Sequence, residues 1–119
     1  MARVTHTPKA LTVGYPTLQP PANSLDVAFL AADTVNDEQV VHTGKEMILA
    51  QNTDAGAQTV TITSVAINGR TGDVTAYSIG AGEFAYFGPY PTKGFRQTNG
   101  FLYFEASSAL VKFLVFKLP

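Results

Sequence analysis

The chain has 119 residues, the usual size of a single domain. Its eight Lys and Arg residues and nine Asp and Glu residues give a net charge of −1, which provides no overall attraction to nucleic acid or to an anionic membrane. Because the chain contains no cysteine, disulfide frameworks, thiolate metal sites and thiol nucleophiles are all excluded.

The first 25 residues predict an extended N-terminal arm. Its prolines prevent a helix or a central strand from forming across it, and its apolar side chains distinguish it from a plain soluble linker. We expect the arm to become ordered only against a surface, either of its own domain or of a neighbouring subunit. The prolines are Pro8, Pro16, Pro20 and Pro21, and the apolar residues assigned to subunit contacts are Leu11, Val13, Tyr15 and Leu18.

Residues 26–119 carry the signals of short strands and turns. Residues 27–32 are apolar, residues 39–42 are mostly β-formers, and the polar stretch between them predicts a turn. Residues 46–52 predict the next strand. The clearest alternation follows, with Val60 and Ile62 on one face and threonines on the other, which is typical of a half-buried antiparallel strand.

The second half of the chain continues this pattern. At Ser64 the apolar series shifts by one residue, so we expect a bulge or a bend there. Asn68-Gly69 is a strong hairpin signal, because both residues tolerate a positive φ. Further strands are predicted at residues 74–79, 83–87, 101–105 and 110–118, with a break at Gly88-Pro89-Tyr90-Pro91. About eight short strands without helical periodicity predict a single β-sandwich or jelly-roll-like domain over residues 26–119.

The last predicted strand is apolar on both faces. A strand of a two-sheet sandwich needs only one apolar face, so the other must be covered. The cover is either the chain's own domain or another subunit, and both interpretations are open. One face carries Val111, Phe113 and Val115, which we assign to subunit contacts, and the other carries Leu110, Leu114, Phe116 and Leu118.

No pattern in the sequence predicts a catalytic or metal site. His6 and His42 are isolated, and the acidic residues 33–38 lack the glycine and the distal glutamate of a calcium loop. Pairs of carboxylates could converge for glycoside hydrolysis, but few charges are available to tune their pKa values. The aromatic side chains of residues 84–104 favour core or interface packing over a carbohydrate platform. We predict no enzymatic activity, no cofactor and no bound metal.

A series of scaffold motifs runs from residue 46 to residue 118. A strand ends in Asn at Met47-Ile48-Leu49-Ala50-Gln51-Asn52, a Thr-Val-Thr-Ile strand follows at residues 59–62, and the Gly88-Pro89-Tyr90-Pro91 break precedes the aromatic Phe95 and an alternating C-terminal strand. In these motifs the segment resembles a group of small tailed-bacteriophage proteins that decorate the capsid. The proline-rich arm is longer than that group leads us to expect, so its role is inferred from composition alone.

The resemblance implies a structural subunit that binds the outside of the assembled capsid and stabilises contacts between neighbouring major capsid proteins. It also implies a homo-oligomer, with a trimer favoured. We expect the last strand and the arm to provide subunit contacts, and Asn68, Arg70, Tyr90 and Phe95 to lie on segments that face the shell. A low charged fraction of 14% suits a protein that functions in an assembly.

The expected location is the virion exterior, after synthesis in the host cytoplasm. The N-terminus lacks the apolar core of a signal peptide, and no apolar run approaches the about 20 residues that span a bilayer. The expected partners are the major capsid protein and further copies of the chain, without nucleic acid or membrane. A head-fibre, tail or receptor- or carbohydrate-binding β-module stays open as an alternative, whereas a cupin-type enzyme is disfavoured by the missing histidine-rich metal set.

Overall fold

Ten β-strands and no helix are formed by the residues that the computed structural model describes, which are 2–11, 22 and 26–119. The all-β prediction is therefore confirmed. The strands are β1 (Val4–His6), β2 (Lys9–Ala10), β3 (Leu30–Ala31), β4 (Glu38–Val41), β5 (Glu46–Asn52), β6 (Gln58–Thr63), β7 (Val74–Ile79), β8 (Phe84–Phe87), β9 (Phe101–Ala106) and β10 (Val111–Lys117).

Strands β3 to β10 have the connectivity of a jelly roll. Sheet A has the order β1-β4-β9-β6-β7, and sheet B has the order β2-β10-β5-β8, with β3 also paired to β10. All pairs among β3 to β10 are antiparallel. Among β3 to β10, only β6 and β7 are consecutive strands of one sheet, and the other connections cross between the sheets, as in a double Greek key.

The beginning of the predicted arm belongs to this fold. β1 pairs in parallel with β4, and β2 pairs in parallel with β10, so the chain adds one strand to each sheet and crosses between them at Thr7 and Pro8. For residues 2–11, the surface that orders the arm is therefore its own domain. The predicted boundary after residue 25 does not separate these residues from the sandwich, and Val13, Tyr15 and Leu18 lie outside the described residues.

Alternating side chains build the core between the sheets. On β5, Ile48 and Ala50 are fully buried while their neighbours face outward, and on β6 the same holds for Val60 and Ile62. Both strands were predicted from the sequence, and the alternation was clearest for β6. His6 extends the core from the arm, with its ring 5.2 Å from that of Phe104.

The last strand is the place where the structure corrects the interface assignment. Val111, Phe113 and Val115 are 0%, 0% and 2% exposed and lie in the core between the sheets, so they have no surface to offer a second subunit. β10 is a central strand, with β5 on one edge and β2 and β3 on the other. Leu114, on the outward face, is only 8% exposed.

The chain leaves the sheet near Ser64, where a bulge or a bend was predicted. β6 ends at Thr63, and the buried Ser64 forms hydrogen bonds with Asp73 and Gly72 rather than with a strand. The register of β6 against β7 shifts between Val60 and Ile62, earlier than expected. Local side-chain hydrogen bonding to the backbone explains the exit from the sheet.

Candidate functional site at the loop end

Three connections meet at one end of the jelly roll. They follow β4, β6 and β8, and comprise residues 42–45, 64–73 and 88–100. The strand registers place the last residues of β4 and β6 and the first residues of β5, β7 and β9 at this same end. We call these three segments the loop end. It contains both segments that were predicted to face a shell.

Hydrogen bonds join the three loops into one surface. The buried His42 donates from its backbone N–H to the Gly100 carbonyl at 3.0 Å, and from Nε2 to the Tyr90 carbonyl at 2.9 Å. The Val65 N–H donates to the Gly94 carbonyl at 2.6 Å. The first loop is thus bound to the third, and the second loop is bound to the third as well. The side chain of His42 therefore anchors the first loop to the third.

The Asn68-Gly69 hairpin is formed as predicted. Ile67 and Arg70 exchange backbone hydrogen bonds of 2.8 and 3.0 Å, and the two central residues have φ values of 51° and 76°, as a type I′ turn requires. Ile67 packs against Gly94, where a Cβ atom would approach the isoleucine Cδ1 to 3.0 Å. The hairpin therefore rests on the third loop and presents Asn68 and Arg70 to solvent.

Tyr90 and Phe95 hold the third loop in place. Their rings stack at a centroid distance of 4.4 Å, and both side chains are half-buried against the core. Burial raises the pKa of the Tyr90 phenol above its ordinary value. Four residues were predicted to lie on segments that face a shell. Tyr90 and Phe95 hold the third loop in position, whereas Asn68 and Arg70 are exposed on the loop end.

Two acids form hydrogen bonds within the loops, the buried Glu46 and the exposed Asp73. Burial raises the pKa of Glu46, but hydrogen bonds from the Thr43 hydroxyl and backbone N–H outweigh it and leave the pKa below its ordinary value. Hydrogen bonds from the Ser64 hydroxyl and N–H lower the pKa of Asp73 in the same way. Both carboxylates are therefore engaged within the loops.

Positive charge is concentrated at this end. Six of the eight Lys and Arg residues lie on the three loops or on the adjoining ends of β2 and β10, and the four on the loops are exposed. None of these four forms an ion pair with another described residue. The residues on the loops are Lys45, Arg70, Lys93 and Arg96, and those on the strands are Lys9 and Lys117.

Part of this surface is a shallow depression. It is open to solvent, has a volume of about 610 Å³ and is lined by residues of the third loop. Lys93 and Arg96 provide its charge, and Gln97 and Asn99 provide amide groups. The depression is suited to carboxylates or to other anionic groups that accept hydrogen bonds.

Negative charge is concentrated at the opposite end. The turns before β4, after β5 and before β8 lie there, and six of the nine Asp and Glu residues are on these turns or the adjoining strands. They are Asp33, Asp37, Glu38, Asp54, Glu83 and Glu105. The net charge of −1 thus conceals a molecule with two oppositely charged ends. The cations are scattered from residue 9 to residue 117, so no local sequence signal reveals the cluster.

The outward face of sheet B is a second candidate surface. The registers place Tyr86, Leu49 and Leu114 in one row across the sheet, and Met47 and Phe116 in the next. The outward face of sheet A instead carries threonines and charged residues, including Arg3, whose guanidinium lies 4.0 Å from the centre of the Tyr103 ring. The apolar face of sheet B agrees with the expectation that one face of the last strand requires a cover.

Two further findings concern the described part of the chain. It has no cluster of three or more His, Asp or Glu side chains arranged to hold a metal ion, and Asp33 binds the backbone N–H groups of Val35 and Asn36 in a local turn. It also has no helix with the length and hydrophobicity needed to cross a membrane.

Comparison of the chain with protein-family models, curated proteins and solved structures gives no match.

Proposed function

We propose that the protein is a decoration subunit that binds the outside of an assembled bacteriophage capsid through its loop end and stabilises contacts between major capsid proteins. The observation that carries the proposal is the concentration of exposed cations on loops that are bound to one another. Such a surface is preorganised, so little conformational entropy is lost when it binds a partner. The sequence motifs of residues 46–118 agree with this role.

Charge separation gives the subunit an orientation. A partner surface rich in carboxylates attracts the loop end and repels the opposite end, so approach from solution favours one orientation. Arg70 at the hairpin tip and Arg96 in the depression present planar guanidinium groups, which bind carboxylates in a bidentate manner. We therefore infer an acidic outer shell surface as the binding partner.

Weak individual contacts are sufficient for this role. Exposed ion pairs contribute about 0 to 1 kcal/mol each, which is too little for one loop end to hold the subunit firmly. An oligomer that engages several shell sites at once multiplies the effect through effective concentration. The proposed trimer provides this multivalency.

A binding assay on capsids that lack the protein tests the proposal. Arg96→Glu places a negative charge in the depression, and the double variant Val35→Glu/Ala55→Glu makes the same change in net charge on exposed turns at the opposite end. We expect the first variant to reduce capsid occupancy by about tenfold or more and the second to leave it near the wild-type value. Occupancy should also fall as salt concentration rises. Equal occupancy of both variants would contradict a cationic contact.

A carbohydrate-binding module is the second candidate. The open depression, lined by hydroxyl, amide and cationic groups, favours it. A glycan array with the purified protein separates the two functions. Saturable binding to an acidic glycan, abolished by Arg96→Glu, would support the second candidate over the first.

A further inference from the structure

The exposed edges of the two sheets differ in how they are protected against pairing with another strand. β1 and β2 are short and are flanked by Arg3, Pro8 and Lys9, which are residues that discourage edge pairing. β7 is interrupted by an irregular register and by Ala76 with a φ of 48°. β8 is flanked by Glu83 and Pro89, but its four residues contain no charge, no proline and no bulge, and its register with β5 is continuous.

The free side of β8 displays a regular set of backbone groups. The Asn52 N–H donates to the Glu83 carbonyl at 3.0 Å, so residues 83, 85 and 87 direct their backbone groups toward β5. By the alternation of an antiparallel ladder, Phe84 and Tyr86 direct theirs away from the sheet. No described residue pairs with these groups.

The side chains along this edge are aromatic and exposed. Phe84 is 56% exposed and Tyr86 is 72% exposed, and both lie on the outward face of sheet B. Phe29 lies against Phe84 with a ring-centroid distance of 6.1 Å. An unprotected edge with large apolar side chains is the arrangement that pairs with another strand.

We propose that β8 pairs antiparallel with β8 of a second copy of the chain across a two-fold axis at Ala85. Phe84 and Tyr86 are equidistant from Ala85, so Phe84 of each copy lies opposite Tyr86 of the other. The N–H and C=O groups of these two residues then face each other and can form backbone hydrogen bonds. The same register sets each Phe84 ring beside a Tyr86 ring on one face, a favourable cross-strand pair. The edge is neutral, so two copies meet without repulsion. Its self-complementarity selects a second copy over an unrelated strand.

Sedimentation velocity of the purified protein over a concentration series tests this pairing. Tyr86→Lys introduces a charge on the edge at an exposed position, and Val35→Lys is the matched control, because Val35 is 70% exposed on a turn. We expect the wild type to form an assembly of twice the mass of the Tyr86→Lys protein. The variant should weaken the association by about tenfold or more, and the control should leave it unchanged. Identical masses for wild type and Tyr86→Lys would overturn the proposal.

A cysteine variant tests the register independently. The chain has no cysteine, so in Ala85→Cys the thiols of two copies meet at the axis in the closer type of antiparallel pair. With oxidised glutathione as the oxidant, we expect a disulfide-linked dimer of Ala85→Cys and none of Val35→Cys. Equal yields of linked dimer would exclude the register. Neither experiment uses capsids, so failure of this pairing is distinguishable from failure of the proposed function. If the protein also forms a trimer through another surface, β8 pairing joins two trimers into a hexamer, and Tyr86→Lys reduces this assembly to half its mass.

Discussion

Replacing Glu38 with Gln is expected to stabilise the protein at neutral and alkaline pH. Glu38 is fully buried, the Asp33 N–H donates to its Oε1, and its Oε2 has no partner among the described residues. The pKa of Glu38 is raised from 4.5 to about 7, mainly by burial; the hydrogen bond from the Asp33 N–H and the charge of Arg3 lower it, whereas the charges of Asp37 and Asp33 raise it.

The direction and the size of the stability change follow from proton linkage. Because the folded-state pKa is raised, the contribution of the protonated carboxyl to stability is complete below pH 4.5 and is lost as the pH rises through about 7. The difference between the two pKa values corresponds to about 3 kcal/mol. Gln cannot ionise, so Glu38→Gln avoids this loss, although its amide lacks a partner and costs about 1 kcal/mol at every pH.

Urea unfolding followed by circular dichroism at about pH 4 and about pH 8 measures the effect. The stability of Glu38→Gln relative to wild type should increase by about 2 to 3 kcal/mol between these values, and the constant cost of the amide cancels in that difference. Glu83→Gln, which removes an exposed carboxylate at the same end of the molecule, controls for net charge. A relative stability that does not change with pH would refute the reasoning.

Two turns provide further predictions. Asn52 is fully buried, donates from Nδ2 to the Gly56 and Ile79 carbonyls at 2.8 and 2.9 Å, and accepts from the Asp54 N–H, so Asn52→Ala should reduce the free energy of unfolding by about 2 to 4 kcal/mol. An unchanged urea midpoint would show that these turns do not depend on it. Gly69→Ala should cost about 1 kcal/mol, because Gly69 has a φ of 76° and open space around it. Gly56→Ala, also in open space but without positive φ, is the control, and equal losses would argue against a conformational cause.

The strands with clear alternation could be predicted from the sequence. β5 has the bounds that the pattern gave, and the central residues of β6 point as expected, because one face of each strand is buried by the opposing sheet. The hairpin at Asn68 could be predicted for a different reason. Its turn type depends on local backbone preferences and not on distant contacts.

The roles of the arm and of the last strand could not be predicted. Short parallel strands such as β1 and β2 have no local signal, since their hydrogen bonds are made with residues far along the chain. The sequence shows that Val111, Phe113 and Val115 are apolar but not which surface covers them. The packing of the two sheets decides that question, because these residues lie on the face of β10 that is turned toward the core.

The loop end was predicted only in part. The hairpin and the Gly88 break were expected to face outward. The jelly-roll connectivity places them on one surface with Lys45 and Arg96. Net charge offered no indication of it, because the acids that balance these cations gather at the opposite end. A net charge close to zero is therefore compatible with a molecule whose two ends carry opposite charge.

The most direct test of the proposed function is the copy number of the protein in purified virions. Quantitative mass spectrometry against the major shell protein measures it. A decoration subunit is expected at a number comparable to that of the shell protein, and treatment with high salt should release it from the particle surface. A few copies per particle, or none, would contradict a role on the capsid exterior.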